Sequence, residues 1–231
     1  MHCSFELKRR WERRKDSRPQ ELLAAALDLF VERGFASTRL EDVAKRAGVS
    51  KGTLYLYFAN KEELFKAVVR DSIVPSIGEA ELHIAEFKGC SADLLRFVIM
   101  DWWEHLGNTK ASGIMKLMMA EAGNFPELAQ FYREEVIQRW SAMVGGMLAR
   151  GVERGEFAPM NVEAMTHVLV APMLMLVTWK HSLGACGTAP IDPLSYLDTF
   201  LSTVLHGLLP RAPLVACPLE AAPITLPIAL A

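Results

Sequence analysis

Cysteine is scarce in this sequence and scattered. The 231-residue chain holds four, Cys3, Cys90, Cys186 and Cys217, with no CxxC pair and no metal-ligand spacing. That excludes a disulfide framework or a zinc module and fits reduced thiols in a cytoplasmic protein. Long uncharged runs are lacking too. The stretch Ala164–Trp179 covers 16 residues and contains Thr166, His167 and Pro172, short of the roughly 20 that cross a bilayer. A buried or interfacial helix is expected there, and no membrane association. The charged N-terminus has no apolar secretion segment. Catalytic signatures are missing as well: there is no GxGxxG loop, Walker A loop, HExxH or nucleophile elbow. His83, His105, His167, His181 and His206 stand apart rather than as spaced ligand pairs. No enzyme activity, no metal and no cofactor is expected.

What is present is apolar bulk and an uneven distribution of charge. The length suits one large or two modest domains, and a hydrophobic share of 51% leaves a surplus for a pocket or a subunit interface. The net charge of −2 hides two opposed parts. Residues 1–70 carry fifteen Lys and Arg against ten Asp and Glu, a surplus of +5, and the remainder is at −7. Lys8, Arg9, Arg10, Arg13, Arg14, Lys15 and Arg18 gather ahead of the first apolar periodic segment. Such an arm suits phosphate binding through counterion release, or is a solvated tail.

Apolar spacing over Leu22, Leu23, Ala26, Leu27, Leu29 and Phe30 predicts a first helix from about Pro19 to Arg33, stopped by Gly34. Ser37 or Thr38 is suited to cap a second, Leu40 to Ala47, with Val43 and Ala44 inward and Arg39, Lys45 and Arg46 outward. After Gly48 and Val49, Ser50 caps a third helix, Lys51 to Phe58. Two short helices around a glycine-containing turn have helix-turn-helix spacing. At roughly 100° per residue, Leu54, Phe58 and one side of Tyr55 pack together, while Gly52, Thr53, Leu56 and Tyr57 form a free face. Hydroxyls, an aliphatic group for thymine methyls and a glycine permitting close approach suit the major groove. Asn60 caps a fourth helix whose buried side is Leu64, Phe65, Val68 and Val69.

The string from Thr38 to Phe65, TRLEDVAKRAGVSKGTLYLYFANKEELF, closely resembles the DNA-binding signature of the TetR/AcrR family of bacterial regulators. The match takes in residues 17 to 70. It implies an all-α protein in which an N-terminal helix-turn-helix three-helix domain is followed by a helical-bundle ligand-binding and dimerisation domain. The resemblance puts Thr38, Tyr57 and Lys61 at phosphates. Lys51, Gly52, Thr53, Tyr55 and Leu56 come at or in the groove, with Arg39 added from the outer face of the second helix. Phosphate contacts position the protein and base contacts specify the site. Leu56 departs from the polar or aromatic residue more common there, which points to apolar methyl contact.

Beyond Arg70 the pattern stays helical, with segments at about Ile77–Phe87, Ala92–Leu106, Lys110–Ala122, Pro126–Arg154, Val162–Leu183 and Pro193–Leu209. Ser91, Asn161 and Asp192 are the expected caps. This half is rich in methionine and tryptophan, soft and bulky groups that adapt to varied apolar shapes. The resemblance implies an effector cavity, for which Trp103, Met115, Met119, Phe131, Met173 and Trp179 are the candidates. It also implies that the last two helices pair with a second copy. Val168 and Met175 on one and Leu197, Phe200, Leu201, Val204 and Leu208 on the other are the expected dimer contacts. Pro172 predicts a kink or break. The proposed organisation is a basic arm over 1–16, a DNA-binding domain over 17–70, a regulatory domain over 71–210 and a proline-rich apolar tail over 211–231.

The function expected is that of a homodimeric repressor, bound to a pseudo-palindromic double-stranded operator and released by a small apolar or aromatic effector. The rival readings are a DNA-bound regulator without inducer and a small-molecule binding protein without specific DNA binding.

Overall fold

The computed structural model describes residues 3–187 and 190–210, and every regular element among them is a helix. The expected C-terminal tail, 211–231, lies outside the described residues. The first helix, α1 (Cys3–Ser37), starts well before the expected Pro19. Its early segment is rich in Lys and Arg, both good helix formers, and Pro19 is carried inside the helix. Helical geometry breaks at Gly34 (φ 82°, ψ 168°), a left-handed backbone that favours glycine.

Next come α2 (Leu40–Arg46), α3 (Lys51–Tyr55) and α4 (Lys61–Ser72). Neither Ser37 nor Thr38 caps α2; its N-cap is Arg39, with no side-chain cap bond. Ser50 and Asn60 cap as expected. Ser50 Oγ accepts the Thr53 N–H at 3.1 Å, and Asn60 Oδ1 accepts the Glu63 N–H at 2.8 Å. Helix α3 is shorter than expected, its Leu56 already serving as the C-cap. Leu64, Phe65, Val68 and Val69 are buried on α4. Phe65 joins Phe30 and Phe35 in an aromatic trio with centroids 5.5–5.6 Å apart.

The body continues with α5 (Val74–Glu86), α6 (Ser91–Trp102), α7 (Gly113–Glu121), α8 (Pro126–Tyr132), α9 (Gln138–Glu153), α10 (Val162–His181) and α11 (Pro193–Leu208). Asn161 and Asp192 cap α10 and α11. At α6 the N-cap is Cys90 rather than Ser91, which is the buried first helical residue. Two π-helical segments interrupt the expected long helices, Trp103–Gly107 after α6 and Arg133–Ile137 between α8 and α9. Pro172 sits inside α10 without ending it. Helix α10 is long and apolar enough to cross a membrane by length and composition, yet it packs against α7, α9 and α11. Helix α1 rests on α2, α4 and α7, and α4 also touches α8. The helix-turn-helix is therefore fastened to the body through both α1 and α4.

Candidate functional site

The free face predicted for the third helix is free at Gly52 and Leu56 but half-buried at Thr53 and Tyr57. Leu54 is fully buried and anchors α3, while Leu56 is 84% exposed, Tyr55 is exposed, and Lys51 and Gly52 are exposed in the first turn. Thr53 is half-buried, its hydroxyl 2.8 Å from that of Ser50, and Tyr57 is half-buried. Lys51 pairs with Glu41 of α2, and this hydrogen bond holds the lysine pKa above its ordinary value. Its ammonium lies 5.8 Å from the Tyr55 ring. An exposed ion pair of this kind contributes little to stability, so Lys51 can leave Glu41 for a phosphate at small cost. Arg39 is exposed as well.

Two residues assigned to phosphates by resemblance are otherwise engaged. Thr38 is 1% exposed, and its hydroxyl donates to the carbonyls of Gly34 at 2.7 Å and Leu29 at 3.2 Å. It ties α2 to the end of α1, and its side chain does not face solvent. The Lys61 ammonium donates to the carbonyls of Phe35 at 2.7 Å and Ala36 at 3.1 Å and lies 4.4 Å from the Phe35 ring. Burial lowers its pKa, with Glu62 and Glu121 opposing. Lysine stems are long enough to serve a carbonyl or a phosphate, which a sequence motif cannot distinguish.

Behind this head lies an apolar cavity of about 470 Å³, within the range of small-molecule sites. Met115, Met119 and Met173 line it as expected. Trp103, Phe131 and Trp179 do not. Trp103 is buried beside Trp102, ring centroids 6.1 Å apart. Phe131 receives the Arg70 guanidinium on its face at 4.9 Å. Trp179 packs under Gly184, its Nε1 buried without a partner among the described residues. The neighbours Trp102 and Tyr132 turn to the cavity instead. At each place the helix passes into a π segment one residue further on. Such single-turn bulges redirect side chains and recur at functional sites. Leu106, Arg133, Val136 and Ile137, all within the π segments, also line the cavity.

Polar groups on the cavity wall are few: Tyr132, Arg133, Ser141 and His167. Tyr132 is 6% exposed, has no hydrogen-bond partner among the described residues, and has its pKa raised by burial. It stays a neutral phenol.

Helices α10 and α11 present apolar surface outward. Val168 is 51% and Met175 39% exposed, Leu194 is exposed, and Phe200 and Val204 are half-buried. Leu197, Leu201 and Leu208, expected at a dimer contact, are instead buried within the protomer. Residues one helical turn apart supply one stripe, and periodicity does not say which element covers it.

Comparison with known proteins decides the family. Residues 22–68 match the model of bacterial regulatory proteins of the tetR family, and residues 89–183 match that of the tetracyclin repressor-like C-terminal domain. The chain belongs to the TetR family. It is thus a DNA-binding transcriptional regulator. Among TetR-family relatives, the fatty acid metabolism regulator protein of Bacillus subtilis is 28% identical over 62% of this chain and 73% of its own. The transcriptional repressor KstR2 of Mycolicibacterium smegmatis is 26% identical over 83% and 91%. The fold is shared with the solved transcriptional regulator FadR from Bacillus subtilis in complex with stearoyl-CoA. That TetR-type structure has a TM-score of 0.65 at 22% identity, covering 82% of this chain and 98% of the other.

Proposed function

We propose that this protein is a homodimeric repressor that binds a pseudo-palindromic operator and is released by a small, largely apolar effector. Its domains are the basic arm (1–16), the DNA-binding domain (17–70), the regulatory domain (71–210) and the tail (211–231), working in the cytoplasm where the DNA is. The observation that carries the reading is an apolar cavity of about 470 Å³, walled by residues from Ile73 onward, in the same chain as an exposed helix-turn-helix face. Exposed Lys51, Gly52, Tyr55 and Leu56, with Thr53, Tyr57 and Arg39, would meet the duplex. Val168, Met175, Phe200 and Val204 would meet the second copy, burying the apolar surface left on α10 and α11. A two-fold dimer of this kind sets its reading helices about 34 to 36 Å apart, one turn of DNA.

Tyr132 narrows the effector. A neutral phenol without a partner among the described residues, on an apolar wall, favours a ligand that brings one hydrogen-bonding oxygen into the cavity. A long acyl thioester has such an oxygen, and the Bacillus subtilis FadR is solved with stearoyl-CoA, which makes that compound the first probe. The test is footprinting of DNA flanking the protein's own gene with purified protein at low salt, followed by gel shifts with stearoyl-CoA and with apolar ketones. A protected palindrome that is lost on adding one of these is the expected result. Absence of any protected palindrome would overturn the reading. A palindrome that no apolar compound releases would favour a regulator without inducer.

A further inference from the structure

Among the places where the cavity wall and the DNA-reading head meet is a corner between α7 and α8. Glu121, the last residue of α7, puts both carboxylate oxygens on the last turn of α1, beyond the break at Gly34. Its Oε1 accepts the Phe35 N–H at 3.0 Å, and its Oε2 accepts the Ala36 N–H at 3.3 Å. A Cβ at Gly34 would lie 2.6 Å from that same Oε1, so the glycine admits the carboxylate. On the far side of the corner Phe125 meets Phe35 edge-on at 4.7 Å between centroids.

Lys61 takes the other half of the same turn. Its ammonium holds the Phe35 and Ala36 carbonyls while Glu121 holds the amides of the same two residues. Lys61 begins α4, and Thr38, two residues beyond Ala36, ties α2 to α1. On the body side, Met118, Met119 and Ala122 flank Glu121 and line the cavity.

We propose that Glu121 is a positioning residue that couples the cavity to the helix-turn-helix. An occupant pressing on Met118, Met119 and Ala122 draws the carboxylate off the Phe35 and Ala36 amides and releases the turn that seats α2 and Lys61. This rests on the effector-responsive reading above and deepens it. A ligand shifts an equilibrium only through contacts that differ between the two states, and the Glu121 contacts supply such a difference. Hydrogen bonds to an ionised carboxylate are about twice as strong as neutral ones, which gives the latch the strength to be felt. Close-packed elements move between discrete arrangements rather than deforming smoothly. The stiff packing of Phe35 against Phe30, Phe65 and Phe125 would carry the movement into the head.

The test is a mutant cycle on the full chain, read by amide hydrogen exchange at Phe35 and Ala36 and by affinity for the footprinted operator. Glu121→Ala should speed exchange at those two amides and weaken the operator, each roughly tenfold, the scale of a lost charge-assisted bond. Exchange at Leu29 and Phe30 inside α1 should not change. Glu121→Gln keeps one acceptor and should recover part of both effects, which a purely structural role would not require. A built-in occupant, Ala122→Phe with Ala129→Phe, should speed exchange at Phe35 and Ala36 when Glu121 is present and add nothing when it is absent. Should that pair fail to melt cooperatively, Ala129→Leu replaces it. Unchanged exchange in Glu121→Ala, or independent effects of filling and of Glu121, overturns the proposal; so does faster exchange with unaltered operator affinity. If the wild-type protein protects no operator, the regulatory reading fails separately, and the exchange cycle still decides the latch.

Discussion

Phe30, Phe35 and Phe65 fill the junction of α1 and α4 with no exposure at all, whereas Trp102, Met115 and Met173, also largely buried, surround a cavity of about 470 Å³. The two regions use the same hydrophobic material for opposite ends. In the head, rings interlock at 5.5–5.6 Å and every neighbour restricts the others. In the body, methionines with several rotatable bonds and two π-helical segments leave room that can be repacked around a guest. A DNA reader has to present fixed side chains to a fixed groove, and a receptor has to yield. The contrast shows how one chain does both.

The largest expected effect tests that contrast directly. Phe65→Ala should cost about 3–5 kcal/mol and Met173→Ala about 2 kcal/mol in equilibrium denaturation, because the cost of truncation grows with the void that the surrounding side chains cannot refill. Equal costs would mean that the cavity wall is packed as tightly as the head. Next in size is Asn60→Ala, which removes the acceptor for the Glu63 N–H at the start of α4. About 1 kcal/mol should be lost, with faster amide exchange confined to the first turn of α4.

A smaller effect sharpens the comparison from the side of the body. His181 is half-buried, with Nε2 2.8 Å from Ser112 Oγ. Burial first, and then the charges of Lys180 and Lys116, hold its pKa below the ordinary value. The unfolded chain therefore takes up the proton more readily than the folded one, so stability increases with pH across this range. The contribution is complete above the ordinary histidine value and is lost as pH falls through it towards the lowered one. Melting temperature should drop between about pH 7 and 5.5, and His181→Gln should flatten that limb; an unchanged limb would assign it to other groups. The smallest stability effect is expected at Leu56, 84% exposed. Leu56→Ala should alter stability by less than about 0.5 kcal/mol while changing operator affinity or base preference in a gel shift. A large stability loss there would mean that the reading face is part of the core.

Much of the fold was legible because local rules act within a few residues. Ser50, Asn60, Asn161 and Asp192 cap the helices their positions imply, each side chain accepting the N–H three residues on. Leu54 packs and Leu56 points out, as the 100° projection requires. The site was less legible. Trp102 and Trp103 are adjacent, and periodicity alone does not say which faces inward where an α-helix gives way to a π segment. Leu197, Leu201 and Leu208 form an apolar stripe in the sequence, but whether α6 and α10 or a second copy covers it is a matter of how helices meet. Thr38 and Lys61 have the chemistry to hold phosphates, yet the carbonyls at the end of α1 lie closer.

The sequence by itself therefore determined an all-helical chain with a helix-turn-helix near its start, because capping, glycine stops and helical period are short-range constraints written residue by residue. Tertiary structure decided which wall encloses the cavity and that Glu121, more than eighty residues away in the chain, closes on the last turn of α1. Those outcomes depend on which helix faces meet, and contacts between residues far apart in sequence have no spacing from which to read them.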